Sequence, residues 1–148
     1  MSDKFIRFTG RITGITKSIR KLISEEVARL GVRRAYAIPI YFIYENGPIS
    51  ASKLSRLCGE DKANLSRTLH LLEADGYVFI EERTSPRRRV RVALTAEGER
   101  IGGLLLARSR ELVAVASEGI SAEDIEAMNG ALFKIDENLR AALEGTLD

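Results

Sequence analysis

The chain has 148 residues, 45% of them hydrophobic and 30% charged, which is the composition of one ordinary globular domain. A single cysteine excludes an internal disulfide, and one cysteine with one histidine argues against a zinc site. The longest apolar run, residues 35–44, is too short to span a bilayer. Because residues 1–11 also lack the apolar core of a signal peptide, we expect a cytoplasmic protein outside the membrane, without metal or cofactor.

The first two predicted elements are helices. Residues 4–30 repeat apolar side chains at intervals of about 3.6 residues and stop at Gly31, which is typical of an amphipathic helix. Residues 33–47 predict a second helix that ends at Asn46-Gly47-Pro48. Pro39 lies within this helix and predicts either a kink or a true first turn that begins near the proline.

Two shorter helices follow, joined by a tight glycine turn. Ser50 or Ser52 can cap a third helix that runs through Cys58, after a short extended link. Asp61 is a good N-cap for a fourth helix, which Gly76 closes. Two short helices in this arrangement are typical of a helix-turn-helix.

The fourth helix has two different faces. At 100° per residue, Leu65, Leu69 and Leu72 form one apolar stripe that predicts a core contact. The rest of its first turns carries no acidic residue and consists of Lys62, Ala63, Asn64, Ser66, Arg67 and His70. Side chains of these types can read base edges in a DNA major groove, although a solvated face would explain an isolated helix of this composition as well.

A β-hairpin with an unusual charge pattern comes next. Residues 77–83 and 88–94 predict two alternating strands, with Val78 and Ile80 on one face of the first strand. On the second strand, one face is predicted to carry Val90, Val92 and Leu94. Five arginines occur within nine residues that contain no acid: Arg83, Arg87, Arg88, Arg89 and Arg91. Because like charges repel, this cluster predicts an anionic partner, and DNA phosphates fit it better than a merely solubilising loop does.

The two C-terminal helices complete the chain. Thr95 can cap a long helix to about Ser117, and Ser121 to Asp124 resemble a capping box before a last helix to about Leu143. Gly102-Gly103 in the first of them predicts a close helix crossing or a bend. The fold class is therefore mainly α with a small β-hairpin: a winged helix-turn-helix flanked by outer helices.

Several short motifs follow one another in a definite order. They are Leu54 and Leu57, then Ser66-Arg67, then Leu72 with Asp75-Gly76-Tyr77-Val78, and finally Leu94-Thr95-x-x-Gly98. In this order and spacing they resemble the MarR (multiple antibiotic resistance regulator) family of winged-helix repressors. The resemblance extends to residues 119–139 and covers most of the chain. Departures are Pro86, where the family's wing usually has Asp, Leu71, where a polar residue is common, and Pro39.

The resemblance implies an architecture and a function. It implies a homodimer, with residues 1–31 and 96–148 as the dimerisation region and residues 32–95 as the DNA-binding region. It also implies a transcriptional repressor that binds a pseudo-palindromic double-stranded operator and is released by a small-molecule effector. Family members have an effector cleft, and the aromatic residues of the second helix could line it: Tyr36, Tyr41, Phe42 and Tyr44. Aromatic residues at helical spacing more often belong to the hydrophobic core.

Two other functions remain to be weighed against this one. A winged-helix adaptor would use the basic hairpin against an acidic protein, which the acid-free face of the fourth helix disfavours. An enzyme would need a nucleophile–base pair, a phosphate-binding glycine loop or a metal-ligand spacing, and the sequence contains none that we can identify. We also expect Cys58 to be a buried structural thiol rather than a redox sensor, because no activating base lies near it in the sequence.

Overall fold

The computed structural model describes residues 2–81 and 90–145, apart from the side chains of residues 2, 4 and 5. The described elements follow one another in the predicted order: α1 (Ser2–Arg29), a short 3-10 helix (Arg34–Tyr36), α2 (Ala37–Asn46), α3 (Ala51–Cys58), α4 (Lys62–Ala74), β1 (Val78–Glu81), β2 (Arg91–Leu94), α5 (Ala96–Ala116) and α6 (Ala122–Glu144). The fold class is confirmed as mainly helical with one antiparallel hairpin.

Polar side chains at the helix starts satisfy backbone N–H groups that have no partner within the helix. Four predicted caps accept a hydrogen bond from the N–H three residues later: Ser50, Asp61, Thr95 and Ser121. Ser50 rather than Ser52 is therefore the cap of α3. Pro39 lies in the first turn of α2, where its missing N–H removes no intrahelical bond, so the second of the two possibilities for this proline is correct.

Within the described residues, the hairpin consists of Val78–Glu81 and Arg91–Leu94, and only part of it is buried. Val78 pairs with Leu94 and Ile80 with Val92 in an antiparallel register. Val78, Val92 and Leu94 are buried, but Ile80 is 40% exposed, and Val90 is 41% exposed and precedes β2. The shared face of Val78 and Ile80 agrees with this register, but that face is buried only at the inner end of the hairpin.

A third backbone segment supports β2 from the other side. Ile49 pairs with Val92, with N–H···O distances of 3.0 Å and 2.8 Å in the two directions. The predicted extended link before α3 therefore adds a short bridge to the hairpin. Val92 and Ala93 are both buried, although they point to opposite faces of β2.

The motif Leu94-Thr95-x-x-Gly98 connects the hairpin to α5. The Thr95 hydroxyl donates to the Gly76 carbonyl at 2.7 Å and accepts from the Gly98 N–H at 3.1 Å. A Cβ atom on Gly98 would lie 2.1 Å from the Tyr77 carbonyl oxygen, so only glycine fits there. The start of α5 is thereby held against the turn that ends α4.

The described chain forms two compact units, Met1–Arg110 and Glu111–Asp148. The first contains a single core to which α1 to α5 and the hairpin contribute; its fully buried side chains include Val27, Tyr36, Ile40, Leu54, Leu65, Leu72, Ile101 and Leu105. In the second, no described residue of α6 is buried. Among the described helices, none has both the length and the apolar character that a membrane span requires.

Candidate nucleic-acid interface

The fourth helix buries its leucine stripe and exposes its polar face, as the sequence predicts. Leu65, Leu69 and Leu72 are 1%, 8% and 0% exposed, so they anchor α4 in the core. The six residues predicted to face DNA are all exposed: Lys62, Ala63, Asn64, Ser66, Arg67 and His70. The orientation of α4 is thus as expected, while the DNA contacts of these six residues stay a prediction.

An acidic side chain near the start of α4 was missed by the sequence analysis. The Asn64 side-chain amide donates to the Glu60 carboxylate, with an Nδ2–Oε2 distance of 3.0 Å. The separation of four residues around a helix start was the available signal. Asn64 is therefore a side chain with a defined partner.

The opposite end of α4 is held by a polar and aromatic cluster. The Asp75 carboxylate accepts a hydrogen bond from the Tyr36 hydroxyl at 2.6 Å and lies 3.3 Å from the Arg33 Nε atom. Tyr77 packs edge-on against Tyr36, with ring centroids 5.8 Å apart. Burial, and secondly the hydrogen bond to Asp75, raise the pKa of Tyr36 to about 12. Tyr36 thus ties the chain before α2 to the end of α4.

The predicted wing arginines are only partly within the described chain. Arg91 is exposed and pairs with Glu81 across the hairpin. Arg83, Arg87, Arg88 and Arg89 lie outside the described residues. The role of the wing therefore stays a prediction from the sequence.

The aromatic residues of α2 occupy different environments. Tyr41 is half-buried and packs edge-on against Phe42 at 5.5 Å between centroids, while Tyr44 is half-buried against Gly102 and Gly103. Tyr36, just before α2, is 1% exposed. All of them pack against the core, and their predicted effector role remains to be tested.

Cys58 is fully buried, as expected for a structural thiol. Burial, and secondly the Glu60 carboxylate, raise the pKa of the thiol to about 12, so the reactive thiolate is disfavoured at neutral pH. Over residues 2–81 and 90–145, no group of three or more His, Cys, Asp or Glu side chains could hold a metal ion.

Residues 30–89 match the sequence model of the MarR family. Within the described part of the chain, this segment contains the 3-10 helix, α2, the helix-turn-helix of α3 and α4, and β1.

Several solved structures share the fold over most of the chain. One is a protein of Listeria monocytogenes that was assigned to this family and crystallised with a 26mer DNA; it is 23% identical, with 88% of this chain and 87% of that chain covered and a TM-score of 0.80. A MarR/EmrR family regulator from Acinetobacter sp. ADP1 is 18% identical, with 95% and 99% covered and a TM-score of 0.80. NadR in complex with 4-hydroxyphenylacetate is 19% identical, with 91% and 93% covered and a TM-score of 0.72.

Proposed function

We propose that this protein is a dimeric, sequence-specific DNA-binding transcriptional regulator of the MarR type. The observation that carries the proposal is the exposed face of α4, where Asn64, Arg67 and His70 stand opposite the buried leucine stripe. A recognition helix needs such side chains on a helix that the core holds in place, because a base contact requires a fixed register. The MarR-type structure that contains a 26mer DNA supports the same assignment.

The wing supplies the second contact with DNA. Arg91 is exposed at the outer end of the described hairpin, and four further arginines lie between β1 and β2 in the sequence. Their charges match phosphates, which position a protein on the duplex and account for most of its non-specific affinity.

The dimer rests on an apolar stripe along α1. Ile12, Ile15, Ile19 and Leu22 recur at helical spacing and are 37%, 56%, 48% and 42% exposed in the single chain. Apolar side chains in such a row need a covering partner, and a second copy of this chain supplies one with matching chemistry. Two recognition helices related by a twofold axis would then bind half-sites about 10 base pairs apart, or a multiple of that distance.

Regulation by a small molecule is the finer part of the proposal. The protein acts as a repressor that an effector releases, and the effector binds near Tyr36, Tyr41 and Tyr44. Support comes from the similarly folded NadR, whose structure contains 4-hydroxyphenylacetate. Thermal unfolding with and without aromatic carboxylic acids tests this part, because a ligand that binds only the folded state raises the Tm.

Titration of labelled duplex DNA by fluorescence anisotropy tests the central proposal. We expect binding at low salt, with log affinity falling linearly as log salt rises. A mobility-shift assay on DNA upstream of the protein's own gene then seeks the operator. If bulk duplex DNA is not bound even at low salt, the proposed function is wrong, and the protein–protein adaptor becomes the better candidate.

A further inference from the structure

The turn before α4 holds Glu60 in a defined backbone position. The Ser55 hydroxyl donates to the Glu60 carbonyl at 2.6 Å, and the Glu60 N–H donates to the Ser55 carbonyl at 3.2 Å. Between them, Gly59 adopts a left-handed φ of 63° and donates to the Arg56 carbonyl at 3.3 Å. Ser55 is buried, so this turn is anchored in the core of the helix-turn-helix.

The first helix adds a further anchor to the same turn. The Arg20 guanidinium of α1 donates a hydrogen bond to the Cys58 carbonyl at the end of α3. The backbone on both sides of Gly59 is therefore fixed, by Arg20 on one side and Ser55 on the other. Glu60 is half-buried, and its side chain leaves a backbone that is held on both sides.

The Glu60 carboxylate determines which way the Asn64 amide faces. An ionised carboxylate only accepts hydrogen bonds, so the amide must present its NH₂ group to Glu60, as the 3.0 Å Nδ2–Oε2 distance requires. The amide oxygen of Asn64 then points away from Glu60. One N–H of the amide remains free, because a single carboxylate oxygen takes only one of the two.

The outward edge of Asn64 therefore offers one acceptor and one donor. Adenine is the base whose major-groove edge complements this pair, with the N6 amino group as donor and N7 as acceptor. Guanine offers two acceptors, O6 and N7, and would need two donors. We propose that Glu60 is a positioning residue that orients Asn64 to select adenine at one position of each half-site. This inference rests on the proposed DNA-binding function.

Base preference at a single operator position tests the proposal. Selection from randomised duplexes identifies the preferred sequence, and affinities are then measured for duplexes that differ only at the position sensitive to Asn64→Ala. The full-length wild-type protein should prefer adenine to guanine there by a factor on the order of ten or more, and Asn64→Ala should abolish the preference. Thermal unfolding monitored by circular dichroism establishes that each variant is folded.

Two substitutions at Glu60 then separate positioning from structure. Glu60→Gln permits both amide orientations, so the affinity for the adenine duplex should fall by about twofold per half-site, the factor for a binding-competent state that is half populated. The preference for adenine over guanine should fall by more than this factor, because the other orientation suits guanine. Glu60→Lys introduces a donor that selects the opposite orientation, so the preference should move towards guanine. Glu73→Gln removes one negative charge from the exposed surface of the same helix and should leave the base preference unchanged.

The outcomes distinguish this inference from the proposed function. If the wild-type protein binds no duplex, the proposed function fails. If it binds and Asn64→Ala changes the preference but Glu60→Lys does not, the positioning role of Glu60 is wrong while DNA binding stands. In an Asn64→Ala background, Glu60→Lys should alter no base preference; a preference for guanine that persists there would mean that the introduced lysine reads the base itself, and would also overturn the proposal.

Discussion

The Tyr44 ring of α2 lies directly against Gly102 of α5. A Cβ atom on Gly102 would lie 2.5 Å from Tyr44 Cδ2 and 2.7 Å from both Cβ and Cγ of the tyrosine. The glycine pair in α5 therefore marks a close helix crossing, the first of the two possibilities that its sequence raised, and the partner is an aromatic ring.

Replacement of Gly102 by alanine should destabilise the protein. The added methyl group overlaps the Tyr44 ring, and overpacking of this kind costs about 1–3 kcal/mol of unfolding free energy, against a gain of about 1 kcal/mol from better helix propensity. Urea denaturation measures the difference. Gly103→Ala is the matched control, because its Cβ would lie 3.4 Å from the Tyr44 hydroxyl oxygen. Equal stability of the two variants would contradict the close crossing.

The burial of Tyr36, together with its hydrogen bond to Asp75, should produce a loss of stability at alkaline pH. The pKa of Tyr36 is raised to about 12 in the folded protein, from the ordinary tyrosine value of 10.0. The folded state therefore retains a proton that the unfolded state loses, so this contribution is complete below about pH 10 and is lost as the pH rises to about 12. The difference between the ultraviolet absorbance titrations of wild type and Tyr36→Phe isolates this ionisation.

Tyr36→Phe should also lower the unfolding free energy at neutral pH by about 1 kcal/mol, the usual net contribution of one hydrogen bond. Its unfolding free energy should change less between pH 10 and 12 than that of the wild type. A parallel decline of both proteins over this range would remove Tyr36 as the cause.

The apolar stripe of α1 should hold the dimer together. Ile15→Glu combined with Ile19→Glu places two charges in a row that we expect to be covered by the partner, so the protein should become monomeric and lose affinity for the operator. Sedimentation velocity measures the state of association. Thr13→Glu changes a neighbouring exposed position of α1 outside the stripe and should leave the dimer intact. A stable dimer should remain associated at protein concentrations on the order of tens of micromolar. A wild-type protein that is monomeric at such a concentration would contradict the proposed architecture.

Arg67 should contact DNA from the middle of the exposed face of α4. If its guanidinium binds guanine O6 and N7, Arg67→Ala should lose about 1–3 kcal/mol of discrimination per half-site, mainly against the operator. A phosphate contact would instead weaken binding to the operator and to a scrambled duplex alike. Both affinities are measured at one salt concentration. If neither changes, α4 does not enter the groove.

The wing arginines should contribute to the salt dependence of binding. Replacement of Arg87, Arg88 and Arg89 by alanine should weaken binding to specific and non-specific duplexes by similar factors. The slope of log affinity against log salt should fall by about 0.9 for each phosphate contact that is lost. An unchanged slope would exclude these arginines from the interface.

Local patterns of the sequence were sufficient for most of the fold. The caps Ser50, Asp61, Thr95 and Ser121 act within three residues of themselves, and the leucine stripe of α4 follows from helical periodicity alone. Such features depend on neighbours along the chain. The order of elements and the exposed face of α4 could therefore be predicted.

Contacts between distant segments depended on the tertiary structure. The exposure of Ile80, the bridge between Ile49 and Val92, and the fit of Tyr44 onto Gly102 each depend on where another element packs. In the candidate site, the positions of Asn64 and Arg67 follow from the sequence. The turn before α4 is held by hydrogen bonds from Arg20 and Ser55. The bond from Arg20 forms only after α1 and α3 have packed together, because Arg20 and Cys58 lie 38 positions apart in the chain.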